Sequence, residues 1–263
     1  MTASPHSLRQ RLNPIQPRDF LASYQRIVAL SGYTKRWTKL RWGYDSEVLS
    51  PPVRLRAPGP EKEQLILSVG RFFDEKSGHS KRQLEMVRAF RRMIDEGLTG
   101  WRMVLIGGCT PEDREYAMAV RREAVGAPIE VRISAPGSVL DEHLAKASIY
   151  WHATGYGADL DADPDRAEHF GIAPIEAMSA GAVPVVFDAA GPAEVVRAGV
   201  DGLLFRSIDE LVAHTRRLID DEPYRRVLAD AAIQRSLEYG HDAFEHHVRD
   251  LIDRIVGQSS PNA

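Results

Sequence analysis

Two glutamates, Glu168 and Glu176, stand on either side of Gly171 in the run EHFGIAPIEAMSAGAVPVV. An ionised carboxylate accepts hydrogen bonds through both oxygens, which suits the vicinal hydroxyls of a ribose or a hexose. Gly171 precedes a helical pattern. The N–H groups of residues 171–173 then face outward with the positive end of the helix dipole, a site for phosphate or a hydroxyl-rich ligand. The same residues also read as an acid at a helix opening (Glu168) and a solvated helix face (Glu176). A second group lies upstream. Gly70 and Arg71 end the apolar run LILSVGR, and Lys81 follows the loop FFDEKSGHS. A guanidinium fork and an ammonium converging there suit a diphosphate; alternatively they are surface charges, and Lys76 competes for the lysine role. His152 closes SIYWHA at a strand end, either as a ligand contact or as a core histidine.

Other chemistries fit poorly. DLDADPD (159–165) resembles the start of a calcium loop, but the sixth position is Pro164 and the twelfth Phe170, where such a loop needs glycine and glutamate. It reads as a solvated acidic loop, and no metal is expected. No Walker loop, Ser-His-Asp order or Cys/His metal spacing occurs, and GGCTPED lacks the glycines of a dinucleotide fingerprint.

The elements that must position these residues alternate. Continuous apolar runs at 65–70 and 101–108 predict strands buried on both faces, and 129–134, 148–153, 183–187 and 202–205 read as further strands. Helical spacing or caps predict helices at 81–97, 111–126, 138–147, 172–181 and 192–199, with three more helices to the C-terminus. Strands alternating with helices through short loops make a parallel sheet covered on both faces, an α/β Rossmann-like fold whose ligands bind beyond the C-terminal strand ends. Upstream, RIVALS reads as a strand and YTKRWTKLRWG as a basic helix. Four prolines between residues 51 and 60 mark a linker. The expected organisation is a loosely ordered segment 1–17, a small unit with its linker at 18–60, the main domain at 61–240, and a C-terminal helix and tail at 241–263.

The 263 residues are 43% hydrophobic and 27% charged, the balance of a globular protein with a substantial core. A net charge of −3 argues against a nucleic-acid binder. The single cysteine, Cys109, permits no internal disulfide and fits a reducing cytoplasm. No apolar run reaches the roughly 18 residues of a membrane span; a peripheral membrane contact stays compatible with the composition.

Taken in order, VGR, Lys81 opening a helix that ends in AF, EHFGIAPIEAMSAGAVPVV, GPAEVV and GVDGLLF resemble the C-terminal half of a family 4 glycosyltransferase of the GT-B fold. The resemblance covers about residues 60–240. It implies a retaining hexosyl transfer from a UDP- or GDP-sugar without a metal cofactor. Arg71 and Lys81 would neutralise the departing diphosphate, and the Lys81–Phe90 interval favours Lys81 over Lys76. Glu168 would touch the sugar and Glu176 the ribose. The amides of Phe170, Gly171 and Ile172 would meet sugar and phosphate, with the loop Pro136–Leu140 bordering the base. The family has two Rossmann-like domains. Here the first is reduced to residues 18–60, without counterparts of its glycine-rich loop or acceptor-positioning residue. An N-terminal GT-B domain partner or a homo-oligomer is therefore expected for transfer, and a non-catalytic nucleotide-sugar-binding module is the alternative.

Overall fold

The computed structural model describes residues 21–59, 61–74 and 78–258. The segment 1–17, Lys76 and the tail beyond residue 258 lie outside them.

The upstream unit is a two-stranded parallel pair, β1 (Val28–Ala29) and β2 (Glu47–Val48), joined by helix α1 (Gly32–Trp42). At two residues, β2 is too short to leave a periodic signal in the sequence. Ser31 and Thr34 form a capping box at the start of α1: Ser31 Oγ accepts from Thr34 N at 3.2 Å, and Thr34 Oγ1 from Ser31 N at 3.1 Å. The Glu194 carboxylate also accepts from the N–H groups of Gly32 (2.7 Å) and Tyr33 (2.5 Å), latching the unit onto the main domain. Replacing Glu194 by alanine is expected to cost about 1–2 kcal/mol, the scale of a lost helix cap. Hydrogen exchange should then quicken at residues 32–35 and stay unchanged in the central sheet; uniform quickening would mean that the latch supports the whole fold.

The main domain is a six-stranded, wholly parallel sheet in the order β5-β4-β3-β6-β7-β8. Its strands are β3 (Glu63–Val69), β4 (Arg102–Gly107), β5 (Ile129–Ile133), β6 (Ala147–His152), β7 (Val183–Phe187) and β8 (Leu203–Phe205). Between them run α2 (Gln83–Asp95), α3 (Arg114–Ala124), α4 (Gly137–Lys146), α5 (Ile172–Ser179) and α6 (Ala190–Val195). The helices α7 (Ile208–Asp220), α8 (Glu222–Ser236) and α9 (His241–Gln258) close the chain. Successive β3 residues face opposite layers, as strand geometry requires. Ile66 packs with Met86, Phe90 and Trp151, whereas Leu65 and Leu67 pack with Leu144, Tyr150 and Ala177. All three β3 side chains are fully buried.

This is the expected α/β architecture with helices on both faces. Most helices are a few residues shorter than expected, and two of the shifts have a visible cause. α2 opens at Gln83, because Arg82 takes a left-handed conformation (φ 57°), so Lys81 lies in the loop before the helix and not on it. α6 runs from Ala190 to Val195 instead of 192–199. The fully buried Asp201 carboxylate accepts from the Arg197 amide at 2.6 Å and from its guanidinium at 2.5 Å, which folds 197–201 into a turn.

The chain runs outward from β3 to β4 and β5, recrosses the sheet, and continues from β6 to β7 and β8. Connections therefore diverge between β3 and β6. That divergence opens a crevice beyond their C-terminal ends, where ligands of such sheets bind.

Candidate functional site

A cleft of about 370 Å³ occupies that crevice. Val69 and Gly70 at the end of β3, His152 at the end of β6, and Lys81, Glu168 and Gly171 from the loops line it. Leu30 and Pro51 add a wall from the upstream unit and its linker.

Three polar side chains meet at its base. Glu168 Oε2 is ion-paired with Lys81 Nζ and lies 3.3 Å from His152 Nε2. Lys81 is 14%, Glu168 22% and His152 4% exposed. Gly70 makes room for this arrangement: a Cβ there would lie 2.7 Å from Lys81 Cγ, so a side chain would deflect the lysine. Burial pushes the pKa of His152 down and keeps the ring neutral, although Glu168 pulls the other way. A neutral ring whose Nε2 faces a carboxylate carries its proton on Nε2. His152 therefore supports Glu168 as a hydrogen-bond donor, with Thr154 Oγ1 3.1 Å from the same nitrogen. Burial by itself would raise the pKa of Glu168, but the His152 hydrogen bond and the Lys81 ammonium outweigh it and hold the carboxyl well below the usual range.

The sign of that shift fixes an acid-stability prediction. A depressed native pKa contributes stability that is fully present above the unfolded value, about 4.3, and is lost as pH falls toward the native value. The stability gap between the wild type and Glu168→Gln should therefore be widest at neutral pH and shrink below about pH 4.3. Urea unfolding at neutral pH and near pH 3 reads it; a constant gap would mean that Glu168 gains nothing from its partners.

Gly171 adopts φ 104° and opens α5 directly under the cleft. The first-turn N–H groups of a helix have no intrahelical partner. Pro174 lacks an N–H, so Ile172 and Ala173 supply them. The loop before α5 is fixed from behind. Phe170 is 6% exposed and packs with Val53 and Ile175, its ring edge-on to Tyr239 at 5.7 Å. Gly191 N donates to the Glu168 carbonyl at 3.0 Å.

Glu176 lies one turn further along α5, where Oε1 accepts from Arg56 Nη2 at 2.9 Å. The buried Tyr150 hydroxyl donates to the Val69 carbonyl at 3.3 Å. Burial raises the pKa of that hydroxyl, and the charges of Glu168 and Glu176 add to the shift.

Arg71, like Glu176, is a sequence candidate outside the lining of this cleft. Beyond β3 the backbone continues alongside β4, with Gly70 N bonded to the Ile106 carbonyl (2.9 Å) and Phe72 N to that of Gly108 (2.8 Å). The Gln83 amide pins the carbonyls of Gly70 (3.2 Å) and Arg71 (3.0 Å). The Arg71 side chain is exposed. Its guanidinium lies 5.2 Å from the centroid of the Phe73 ring, in a neighbouring pocket of about 310 Å³ shared with His79 and Cys109.

The acidic loop uses its carboxylates locally. Asp159 Oδ1 accepts from the amides of Asp161 (3.2 Å) and Ala162 (3.1 Å), while Asp163 and Asp165 pair with Arg166 and Arg41. Among the described residues no three His, Cys, Asp or Glu side chains are grouped as metal ligands would be. Sequence reasoning missed Leu30, Pro51, Arg56, Thr154 and His169 around the site. Leu30 and Thr154 follow strand ends and were findable by the rule that found His152; Arg56 sits in a proline-rich linker with no signal.

The sequence matches the family described as "Glycosyl transferases group 1" over residues 54–235. It is 24% identical over 270 aligned positions to the "GDP-Man:Man(3)GlcNAc(2)-PP-Dol alpha-1,2-mannosyltransferase" of Dictyostelium discoideum, covering 92% of this chain and 50% of that protein. It is 26% identical over 225 positions to "Sulfoquinovosyl transferase SQD2" of Arabidopsis thaliana, covering 81% of this chain and 38% of that protein. Among solved structures, a sucrose-phosphate synthase from Thermosynechococcus elongatus superposes with a TM-score of 0.73 at 18% identity, over 98% of this chain and 65% of that one. The chain thus spans half the length or less of these curated relatives, and the structural likeness speaks to the GT-B fold alone. No helix among the described residues is long and apolar enough to cross a membrane.

Proposed function

Because the chain belongs to the group 1 glycosyl transferases, we propose that it is a family 4 member that binds a nucleotide-diphosphate sugar and takes part in retaining hexosyl transfer. The observation that carries this reading is the Lys81–Glu168 ion pair set over the mouth of α5, at the point where the strand connections diverge. Lys81 and the Ile172 and Ala173 amides receive the diphosphate. Glu168, oriented by His152, accepts from the sugar hydroxyls, and Glu176 takes the ribose. Arg71 joins the same phosphates by leaving the Phe73 ring.

In the reaction, the bond between the sugar's anomeric carbon and the diphosphate breaks as an oxocarbenium-like centre forms. The acceptor oxygen adds on the face the diphosphate leaves. The acceptor's proton passes to the departing diphosphate. Stabilising that leaving charge is the main catalytic task, and Lys81 with the helix mouth performs it electrostatically. A metal is not required for the same reason.

The acceptor side needs a further domain. Val28 and Val48, on opposite faces of the two-stranded pair, are each 48% exposed, and Leu40 of α1 is 62% exposed, apolar positions that a Rossmann-like partner or a second copy would cover. Without such a partner the chain acts as a nucleotide-sugar-binding module, the second reading. Assaying transfer alone and with an added N-terminal GT-B domain separates the two.

Titration calorimetry against UDP- and GDP-sugars tests the donor site, GDP-mannose first because the Dictyostelium relative's name specifies it. Glu176→Ala should weaken binding more than Asp161→Ala, and EDTA should leave it unchanged. Equal losses in the two variants would reject the site, and loss in EDTA would return the acidic loop as a metal site.

A further inference from the structure

The proline-rich linker is strapped to the main domain beside the site. Val53 is buried in the core with Phe170 and Met178, and its N–H donates to the Tyr239 carbonyl at 2.8 Å. Three residues later, Arg56 N donates to Ser179 Oγ at 2.8 Å, at the end of α5. The Arg56 side chain, 14% exposed, then turns between α4 and α5. One terminal nitrogen donates to Glu176 Oε1 at 2.9 Å, and the other is bonded to the Asp141 carboxylate on α4. Its Nε is buried and has no hydrogen-bond partner among the described residues.

We propose that Arg56 is a positioning residue for the nucleotide's ribose, acting through Glu176; this rests on the reading that Glu176 accepts from the ribose hydroxyls. A glutamate on a helix has freedom about three side-chain torsions, and fixing its plane is what turns it into a selective acceptor. The planar guanidinium does so by occupying one oxygen of Glu176. Asp141 takes the opposite half of the fork, so that a ligand cannot draw the arginine away. Oε2 of Glu176 receives no hydrogen bond from the described residues and stays available to a vicinal diol. A lysine cannot reproduce this, because a point charge neither spans the two carboxylates nor sets the plane of either. The linker between the two units thereby contributes to telling ribose from deoxyribose.

The test is calorimetric titration of UDP, GDP and their 2′-deoxy counterparts into the wild type, Glu176→Gln, Arg56→Gln and Arg56→Lys, with inorganic pyrophosphate as the phosphate-only control. The wild type should prefer the ribonucleotide by about tenfold, the scale of a hydrogen bond to a charged group. Both Glu176→Gln and Arg56→Gln should erase most of that preference while leaving pyrophosphate affinity unchanged. Arg56→Lys, which keeps the charge and the backbone strap, should fall between. Melting of each variant identifies any that fails to fold, and Arg56→Lys then carries the test. If the Arg56 variants weaken both nucleotides alike and keep their ratio, the arginine is only a strap and the inference is overturned. If Glu176→Gln alone erases the preference, the ribose reading survives and the inference falls. A wild type without preference, or without affinity for either diphosphate, removes both.

Discussion

Lys81→Met is expected to lower affinity for a nucleoside diphosphate by about 100-fold, within the range for truncating one partner of a desolvated charge pair. It should also cost about 2 kcal/mol of stability, less than the 3–5 kcal/mol of a fully buried pair, because Glu168 keeps 22% exposure. The two losses have different causes. Stability falls because the Glu168 carboxylate is left in the cleft with only the neutral His152 to support it. Affinity falls because the cation that meets the diphosphate is gone. Adding Glu168→Gln separates them. The neutral amide still accepts from His152 Nε2, so the double variant should regain most of the stability and none of the phosphate affinity. Urea unfolding and calorimetry on the same two proteins read the result. Retained affinity in the single variant would place the diphosphate elsewhere, with the Arg71 pocket next to be tested.

The contrast between Lys81 and Arg71 shows what the sequence made legible. Apolar run length made the inner strands of the main sheet legible, because a doubly covered sheet demands unbroken burial, whereas the edge strand β5 holds no buried residue and is read from the short segment IEVRIS. The strand-end rule then brought Gly70, His152 and the Glu168–Gly171 loop to one crevice. Arg71 met the same rule, yet its side chain lies against Phe73 in the neighbouring pocket, where the backbone continues alongside β4 and Gln83 holds the carbonyls of residues 70 and 71. Those contacts join residues far apart in sequence and leave no periodic trace. Arg56 is illegible for a similar reason. A linker arginine among prolines reads as spacer until the fold lays it between α4 and α5. The shift of α2 to Gln83 turns on the left-handed conformation of Arg82, which composition gives no reason to expect of an arginine.

Gly191→Ala is expected to be among the most damaging single-methyl changes in the chain. A Cβ at this position would stand 2.4–2.5 Å from N, Cα and O of Phe170. These are backbone atoms, which cannot swing aside like the end of a side chain. Overpacking of this kind costs about 1–3 kcal/mol or more. The hydrogen bond from Gly191 N to the Glu168 carbonyl, 3.0 Å long, would be strained with it, adding about 1 kcal/mol. The displaced segment carries Glu168 and Gly171, so the cleft moves together with the strain. A shift near 1 Å in a positioned catalytic group costs on the order of 100-fold in rate, and diphosphate affinity should fall together with stability. Gly257→Ala is the matched control. Gly257 lies in α9, and a methyl group added there would meet nothing within 4 Å. Alanine at that position should raise stability by up to about 1 kcal/mol through helix propensity. If Gly191→Ala melted with the wild type, the loop would be yielding enough to absorb a methyl group. The fixed placement of Glu168 between Lys81 and His152, on which the proposed chemistry depends, would then have to come from the ligand.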